Sequence, residues 1–328
     1  MSNNPPIEVP QGAIRLNTDS QRLEFFAQDR WYEMATDVPT LDGGARGLAY
    51  RAGGSNTIDV ITIPTSGNAT DFGNATTTAG GRHTAASRTR SIAAGGGTPT
   101  RINTIEFSTF STTGNGQDFG DLTVVGAGGA QMGMSNQTRG VFGGRTSPSN
   151  VNTIDFVTIA TLGDAVDFGD QGNTEGGMNC FSSPTRGVMG GAHPSNTPRI
   201  EFITIASTGN SQEFGSLMHD QELSGAASNA TRGVWMAGRF APSPTDMSTI
   251  QYVQIQTLGD AVEFGDLTSA RNDLGGCSDS VRALAYGGGS GNQIEYFNLS
   301  TGGNAADFGD GQTASGYTSL SNGHGGLG

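Results

Sequence analysis

Short runs of alternating and doubly apolar residues, broken by glycine, fill the chain from about residue 46 onward. One unit recurs six times: an Arg, a short apolar run, a Gly pair (Ala237-Gly238 in the fifth copy), a variable loop, an Ile-led run, a Gly-Asn or Gly-Asp step, then Asp/Glu-Phe-Gly. The third copy reads Arg139-Gly-Val-Phe-Gly-Gly144, Ile154-Asp-Phe-Val-Thr-Ile159, Gly163-Asp164 and Asp167-Phe-Gly-Asp170. The Phe falls at Phe72, Phe119, Phe168, Phe214, Phe264 and Phe308, and the Arg at Arg46, Arg90, Arg139, Arg186, Arg232 and Arg282. Two independent markers in phase over six copies define a structural repeat.

Each unit is too short and too glycine-broken for helices and holds about four strand-like pieces. In the last copy these are Asp273 to Cys277, Arg282 to Gly287, Ile294 to Leu299 and Ala305 to Phe308. The Gly-Asn step predicts a tight antiparallel hairpin between the third and fourth pieces, because both residues tolerate positive φ. Ile154 and Phe156 point to one side of the third strand, Val157 and Ile159 to the other. A strand apolar on both faces needs cover on both, as a radial stack of four-stranded sheets provides. The fold class expected is therefore all-β, a six-bladed β-propeller over residues 46–328, with the Gly pairs at its crowded axis. Thr313 to Leu320 reads as a first strand that belongs beside Arg46 to Tyr50, so residues 311–328 would close the ring.

Residues 1–45 lack the repeat. Ile14-Arg-Leu16 and Leu23-Glu-Phe-Phe26 alternate as strands across a Thr-Asp-Ser-Gln turn, and Trp31 and Tyr32 follow a second turn at Gln28-Asp29. A small hairpin segment of this kind is marginal alone. It is the candidate attachment module, with Ile14, Leu16, Phe25, Trp31 and Tyr32 as its contact residues; a simple capping hairpin is the plainer reading.

Composition narrows the chemistry. The basic residues are seventeen Arg and no Lys, which excludes a P-loop, a Schiff-base lysine and a kinase phosphate site. A net charge of −13 argues against a nucleic-acid groove. No apolar run approaches the ~20 residues of a membrane span, and Met1 to Pro10 lacks the basic start and apolar core of a secretion signal. Glycine supplies 53 of 328 residues, roughly twice the usual share. His83, His193, His219 and His324 have no metal-ligand spacing, and Cys180 and Cys277 read as buried small residues. There is no Gly-x-Ser-x-Gly elbow, so no catalytic residue, metal or cofactor is expected. The acids before each Phe (Asp71, Asp118, Asp167, Glu213, Glu263, Asp307) are too sparse for calcium loops. They are expected to cap their turns or to pair with the six repeat arginines. The loop from Gly pair to Ile holds 3, 7, 9, 8, 11 and 4 residues in the successive copies. That variation marks the face for a partner, with Arg145, His193, Arg199, Arg239, Phe240 and Asp246 as candidate contacts.

The order apolar strand, Gly-Gly, aromatic-bearing strand and final aromatic resembles the kelch repeat, with Phe for the usual Trp. Thr153-Ile-Asp-Phe-Val-Thr-Ile-Ala-Thr-Leu-Gly-Asp-Ala-Val-Asp-Phe-Gly-Asp170, Leu267-Thr-Ser-Ala-Arg271 and the ending Ser321-Asn-Gly-His-Gly-Gly-Leu327 resemble repeats in virion structural proteins of cyanobacterial tailed phages. Pro10 to Asp19, with Arg22-Leu-Glu-Phe-Phe26 and Trp31-Tyr-Glu-Met34, is similar to a small β-hairpin module of phage fibres and tail proteins. The resemblance implies a non-enzymatic virion protein, a tail fibre or tail-associated adhesin whose propeller meets a host glycan or protein. Residues 1–45 would hold other virion proteins, and likeness to fibres favours a homotrimer. The alternatives are a capsid or neck decoration protein and, from another class, an enzyme acting on envelope glycan.

Overall fold

The computed structural model describes residues 9–17, 22–33, 44–52, 55–97, 100–126, 133–145, 150–174, 176–191, 198–240, 245–289 and 291–328. The chain divides into two compact units, Met1–Asp42 and Gly43–Gly328. It is all-β, and every strand pairing among the described residues is antiparallel.

The first unit is a three-stranded sheet of Ile14–Asn17, Arg22–Ala27 and Arg30–Glu33. Gln28 and Asp29, both at positive φ (48° and 58°), make the two-residue turn into the third strand. The Thr-Asp-Ser-Gln turn lies outside the described residues.

The second unit contains six sheets, one per repeat. In chain order each has a first, second, third and fourth strand lying side by side. Sheet 2 is His83–Ala86, Arg90–Ala94, Thr104–Thr109 and Gln117–Asp121. Sheet 3 is Gly133–Ser135, Arg139–Phe142, Thr153–Thr158 and Val166–Asp170. Sheet 4 is Asn179–Ser182, Arg186–Gly190, Arg199–Thr204 and Gln212–Ser216. Sheet 5 is Gly225–Ser228, Arg232–Phe240, Thr245–Gln254 and Val262–Asp266, with Gln221–Glu222 added beside the long second strand. Sheet 6 is Gly275–Ser278, Arg282–Tyr286, Gln293–Asn298 and Ala306–Asp310. Sheet 1 takes its first strand, Tyr317–Ser321, from the far end of the chain, beside Arg46–Arg51, Thr57–Thr62 and Thr70–Asn74.

The same contacts join each sheet to the one before it. The third and fourth strands of each sheet are antiparallel neighbours, as the Gly-Asn/Asp step predicts, but the step itself is not a tight two-residue turn; it docks on the preceding sheet. Its Gly N–H donates to the carbonyl of the preceding repeat Phe in all six cases, Gly67 to Phe308 included. Its Asn or Asp Oδ1 accepts the N–H two residues after that Phe, at 2.9–3.0 Å. The glycine after the Phe makes this approach possible. At Gly73, Gly120, Gly169, Gly215, Gly265 and Gly309 a Cβ would lie 2.3–2.5 Å from a carbonyl oxygen of the next sheet's connection. Both edges of the fourth strand are thus engaged, which leaves little free edge for aggregation.

Apolar layers fill the spaces between neighbouring sheets. One cluster joins Ile92, Ile105, Phe107 and Phe119 of sheet 2 to Phe142 and Val157 of sheet 3. Another joins Leu284, Tyr286 and Ile294 of sheet 6 to Ala49 and Ile61 of sheet 1. Each third strand is therefore covered on both faces, at about 1.5–3 kcal/mol for each large side chain removed from water.

Candidate functional site

The first strands are mutual neighbours in a closed cycle, from sheet 1 through sheet 6 and back. Their last residues are Ser321, Ala86, Ser135, Ser182, Ser228 and Ser278. Ser182, Ser228 and Ser278 each donate to the carbonyl of the equivalent residue one sheet back at 2.7–2.8 Å, and Ser321 donates likewise to Ser278. Ala86 has no hydroxyl and interrupts the series. There His324 enters: its Nε2 lies 3.1 Å from both Ala86 O and Ser135 Oγ, and its Nδ1 accepts the Gly326 N–H. Burial pulls the imidazole down to about 4, against the weaker opposing hydrogen bond to Ala86. A cavity of about 40 Å³ lies between these strands, room for a water or two but not for a substrate.

The closest glycine approaches to carbonyl oxygens do not fall on the second-strand Gly pairs. Gly133, Gly276, Gly325 and Gly326 are the residues whose Cβ would fall within 1.8–2.2 Å of a neighbouring strand's carbonyl oxygen. The second-strand glycines instead face the connections between sheets; a Cβ on Gly95 would lie 2.6 Å from Gly126 O. Cys180 and Cys277 are buried and unbonded, and burial raises both thiols, Cys277 to about 12. Neither is a thiolate at neutral pH.

The expected pairing of repeat Arg with the acid before Phe does not form. Those six acids are exposed on the fourth strands. Each repeat Arg instead donates through Nη1 to a carbonyl at the end of the next sheet's third strand, at 2.7–3.0 Å for five and 3.1 Å for Arg232 to Leu299. In sheets 2 to 6 its guanidinium also lies 4.7–5.0 Å over an aromatic ring of its own third strand.

The buried charge sits elsewhere, on a position not singled out by the sequence reading. The residue after the leading Ile of each third strand is Asp59, Glu106, Asp155, Glu201, Gln251 or Glu295, each no more than 2% exposed. Each accepts the backbone N–H four residues beyond the preceding repeat Phe: Gln312, Thr76, Thr123, Gly172, Met218 and Thr268 respectively. Four also hold an arginine: Arg82 with Glu106, Arg145 with Asp155, Arg199 with Glu201 and Arg271 with Glu295. Where the acid becomes Gln251 the partner is the uncharged Gln221. Asp59 instead accepts from the Tyr286 hydroxyl at 2.7 Å, and burial raises its carboxyl above the usual range. The recurrent Ile-Asp/Glu pair was the visible signal. The six side chains tie each third strand to the connection from the preceding sheet, and none of them lines the cavity between the first strands.

The candidate loop residues therefore divide. Arg145 is fully buried in its ion pair, out of reach of any partner, and Arg199 is tied to Glu201. Arg239, Phe240 and Asp246 come together on the long hairpin of sheet 5. Arg239 bonds Glu222, Phe240 meets the His219 ring edge-on, and Asp246 accepts from Asn272 at 2.6 Å. His193 lies outside the described residues. On the N-terminal sheet, Ile14, Leu16, Phe25 and Tyr32 share one face; the first three are 64%, 59% and 37% exposed, and Phe25 stacks on Tyr32. Trp31 is on the opposite face, against Phe26 and beneath the Arg15 guanidinium. The attachment candidates thus do not form a single surface.

Among the described residues, no group of three or more His, Cys, Asp or Glu is placed to hold a metal, and no helix is long and apolar enough to cross a membrane. Compared with known protein families and with curated proteins, the chain matches none.

Proposed function

We propose that the six sheets are the blades of a closed, six-bladed kelch-like β-propeller, and that the chain is a non-enzymatic virion protein of a tailed phage. In this reading it is a tail fibre or tail-associated adhesin, anchored through the N-terminal sheet and presenting the propeller to the host. The observation that carries the propeller is the junction repeated six times, including the one from sheet 6 to sheet 1. The buried acids support a non-catalytic reading, because each is spent on tying its third strand to the connection from the preceding sheet. The virion assignment rests on the likeness of the repeats and of the N-terminal segment to phage tail proteins. Several weakly binding copies on one particle would gain avidity without any one site being tight.

Two measurements test this. Fluorescently labelled full chain is expected to bind cyanobacterial host cells, and antibody against it to decorate the tail of the particle. Label on the head or neck would favour a decoration protein instead. Release of sugar from host envelope by the purified chain would overturn the non-enzymatic reading.

A further inference from the structure

The six blades are not equivalent at one position. In blades 2 to 6 the third-strand residue paired two places beyond the repeat Arg is aromatic: Phe107, Phe156, Phe202, Tyr252 and Tyr296. Each ring is sandwiched between that Arg and the repeat Phe of its own blade, 5.7–6.1 Å from the Phe ring. In blade 1 the same register places Val60 opposite Leu48, and the middle layer of the sandwich is missing. A cavity of about 350 Å³ opens there, lined by Arg46, Val60, Thr62, Thr65, Ser66 and Thr113 among others. The equivalent hollow in blade 4, where Phe202 fills the position, is about 120 Å³.

The chemistry of the lining is specific. Arg46 uses Nη1 on Phe110 O, at 2.7 Å; among the described residues its Nε and Nη2 have no protein partner. Threonine and serine hydroxyls supply donors and acceptors around the rim, and Val60 gives a small apolar floor. No acid lines the cavity. A volume of this size is in the usual range for a small-ligand site.

We propose that this cavity binds an anionic sugar, a pyranose ring carrying a carboxylate. The ring occupies the space left by the missing aromatic, with one C–H face on Val60 and its hydroxyls on the Thr and Ser rim. The carboxylate takes the free Arg46 donors as a charge-assisted pair. The role of such a site in attachment rests on the adhesin reading, with envelope polysaccharide as the source; the site itself does not depend on it.

The test is a titration of the full chain with glucuronate, followed by NMR or calorimetry, with glucose and benzoate as controls. Glucuronate is expected to bind in the millimolar range and glucose at least about tenfold more weakly, since the free guanidinium donors would lack their anion. Val60→Phe restores the side-chain type of the other five blades, so it should melt like the wild type and lose about tenfold or more in glucuronate affinity. Thr113→Trp blocks the mouth from the neighbouring blade and should give the same loss by an independent route. No binding to the wild type, or equal binding by both variants, overturns the site. Benzoate binding as well as glucuronate overturns the sugar assignment. Glucuronate binding lost in Val60→Phe, but with no binding of wild type to cells, would leave the site standing and remove the adhesin reading. Cell binding unchanged by Val60→Phe would remove the site's part in attachment.

Discussion

Gly169→Ala is the sharpest test of the junction that recurs six times. Gly169 follows Phe168 at φ +146°, and a Cβ there would lie 2.5 Å from Gly209 O and 2.6 Å from Gly209 C. That is roughly 0.9 Å short of ordinary contact, and the obstructing atoms are backbone, which cannot rotate away. Sheets 3 and 4 must separate, straining the Gly209 N–H bond to Phe168 O (2.7 Å) and the Asp170 N–H bond to Asn210 Oδ1 (3.0 Å). Overpacking costs about 1–3 kcal/mol and the unfavourable backbone conformation a similar amount, so a loss of about 2–6 kcal/mol is expected. Guanidinium unfolding would read this as a lower midpoint at unchanged slope. Gly143→Ala is the control: its nearest neighbour, Gln171 Nε2, is 3.6 Å away, and its effect should stay within about 0.5 kcal/mol. Equal midpoints for the two variants would refute the close approach of the sheets.

Arg186→Met should cost about 1–2 kcal/mol, from the hydrogen bond to Ile255 O and the contact over Phe202, with cell binding unchanged; loss of binding at full stability would contradict a structural role. His324 is held below its ordinary value, so the unfolded chain binds the extra proton first. Its contribution is complete above about pH 6.5 and falls by up to about 3 kcal/mol as the pH drops to about 4. The wild type should therefore lose stability relative to His324→Gln across that window in pH-dependent unfolding, and parallel curves would exclude it. Removal of residues 311–328 takes away the strand paired with Arg46–Arg51 and bares that edge. The truncated chain should lose its cooperative melting transition; an unchanged melting curve would disprove closure by this strand.

Much of the architecture is legible in the sequence. Four strand pieces per repeat and burial on both faces of the third strand follow from the apolar pattern, and sheet 6 falls on the segments read for it. The first strand supplied by the far end of the chain follows from counting pieces. The Gly-Asn/Asp step places the third and fourth strands side by side, as they are, but its docking on the preceding sheet is not legible, because positive φ tolerance says nothing about what lies opposite. Its amide and side-chain oxygen are used by the preceding sheet, some 40 residues away in sequence.

The pairing expected between the six equally conspicuous acids and the repeat arginines fails for a related reason, although Asp167 does accept the Gly169 N–H at 3.2 Å. Asp167 and Asp155 are both acids in or next to a strand, and composition cannot rank their burial. Asp155 is buried because the Thr123 N–H and Arg145 arrive from the preceding connection and the loop. Arg82 and Arg271 reach their acids from well upstream, Arg145 from the adjoining loop and Arg199 from the same strand, so no single spacing reveals the pairing. The sequence by itself determined the repeat, its phase and its strands, because those depend on local periodicity and backbone preference. Only the tertiary structure decided which charges are buried and where Val60 leaves a hollow. Both depend on groups that neighbouring sheets bring together in space.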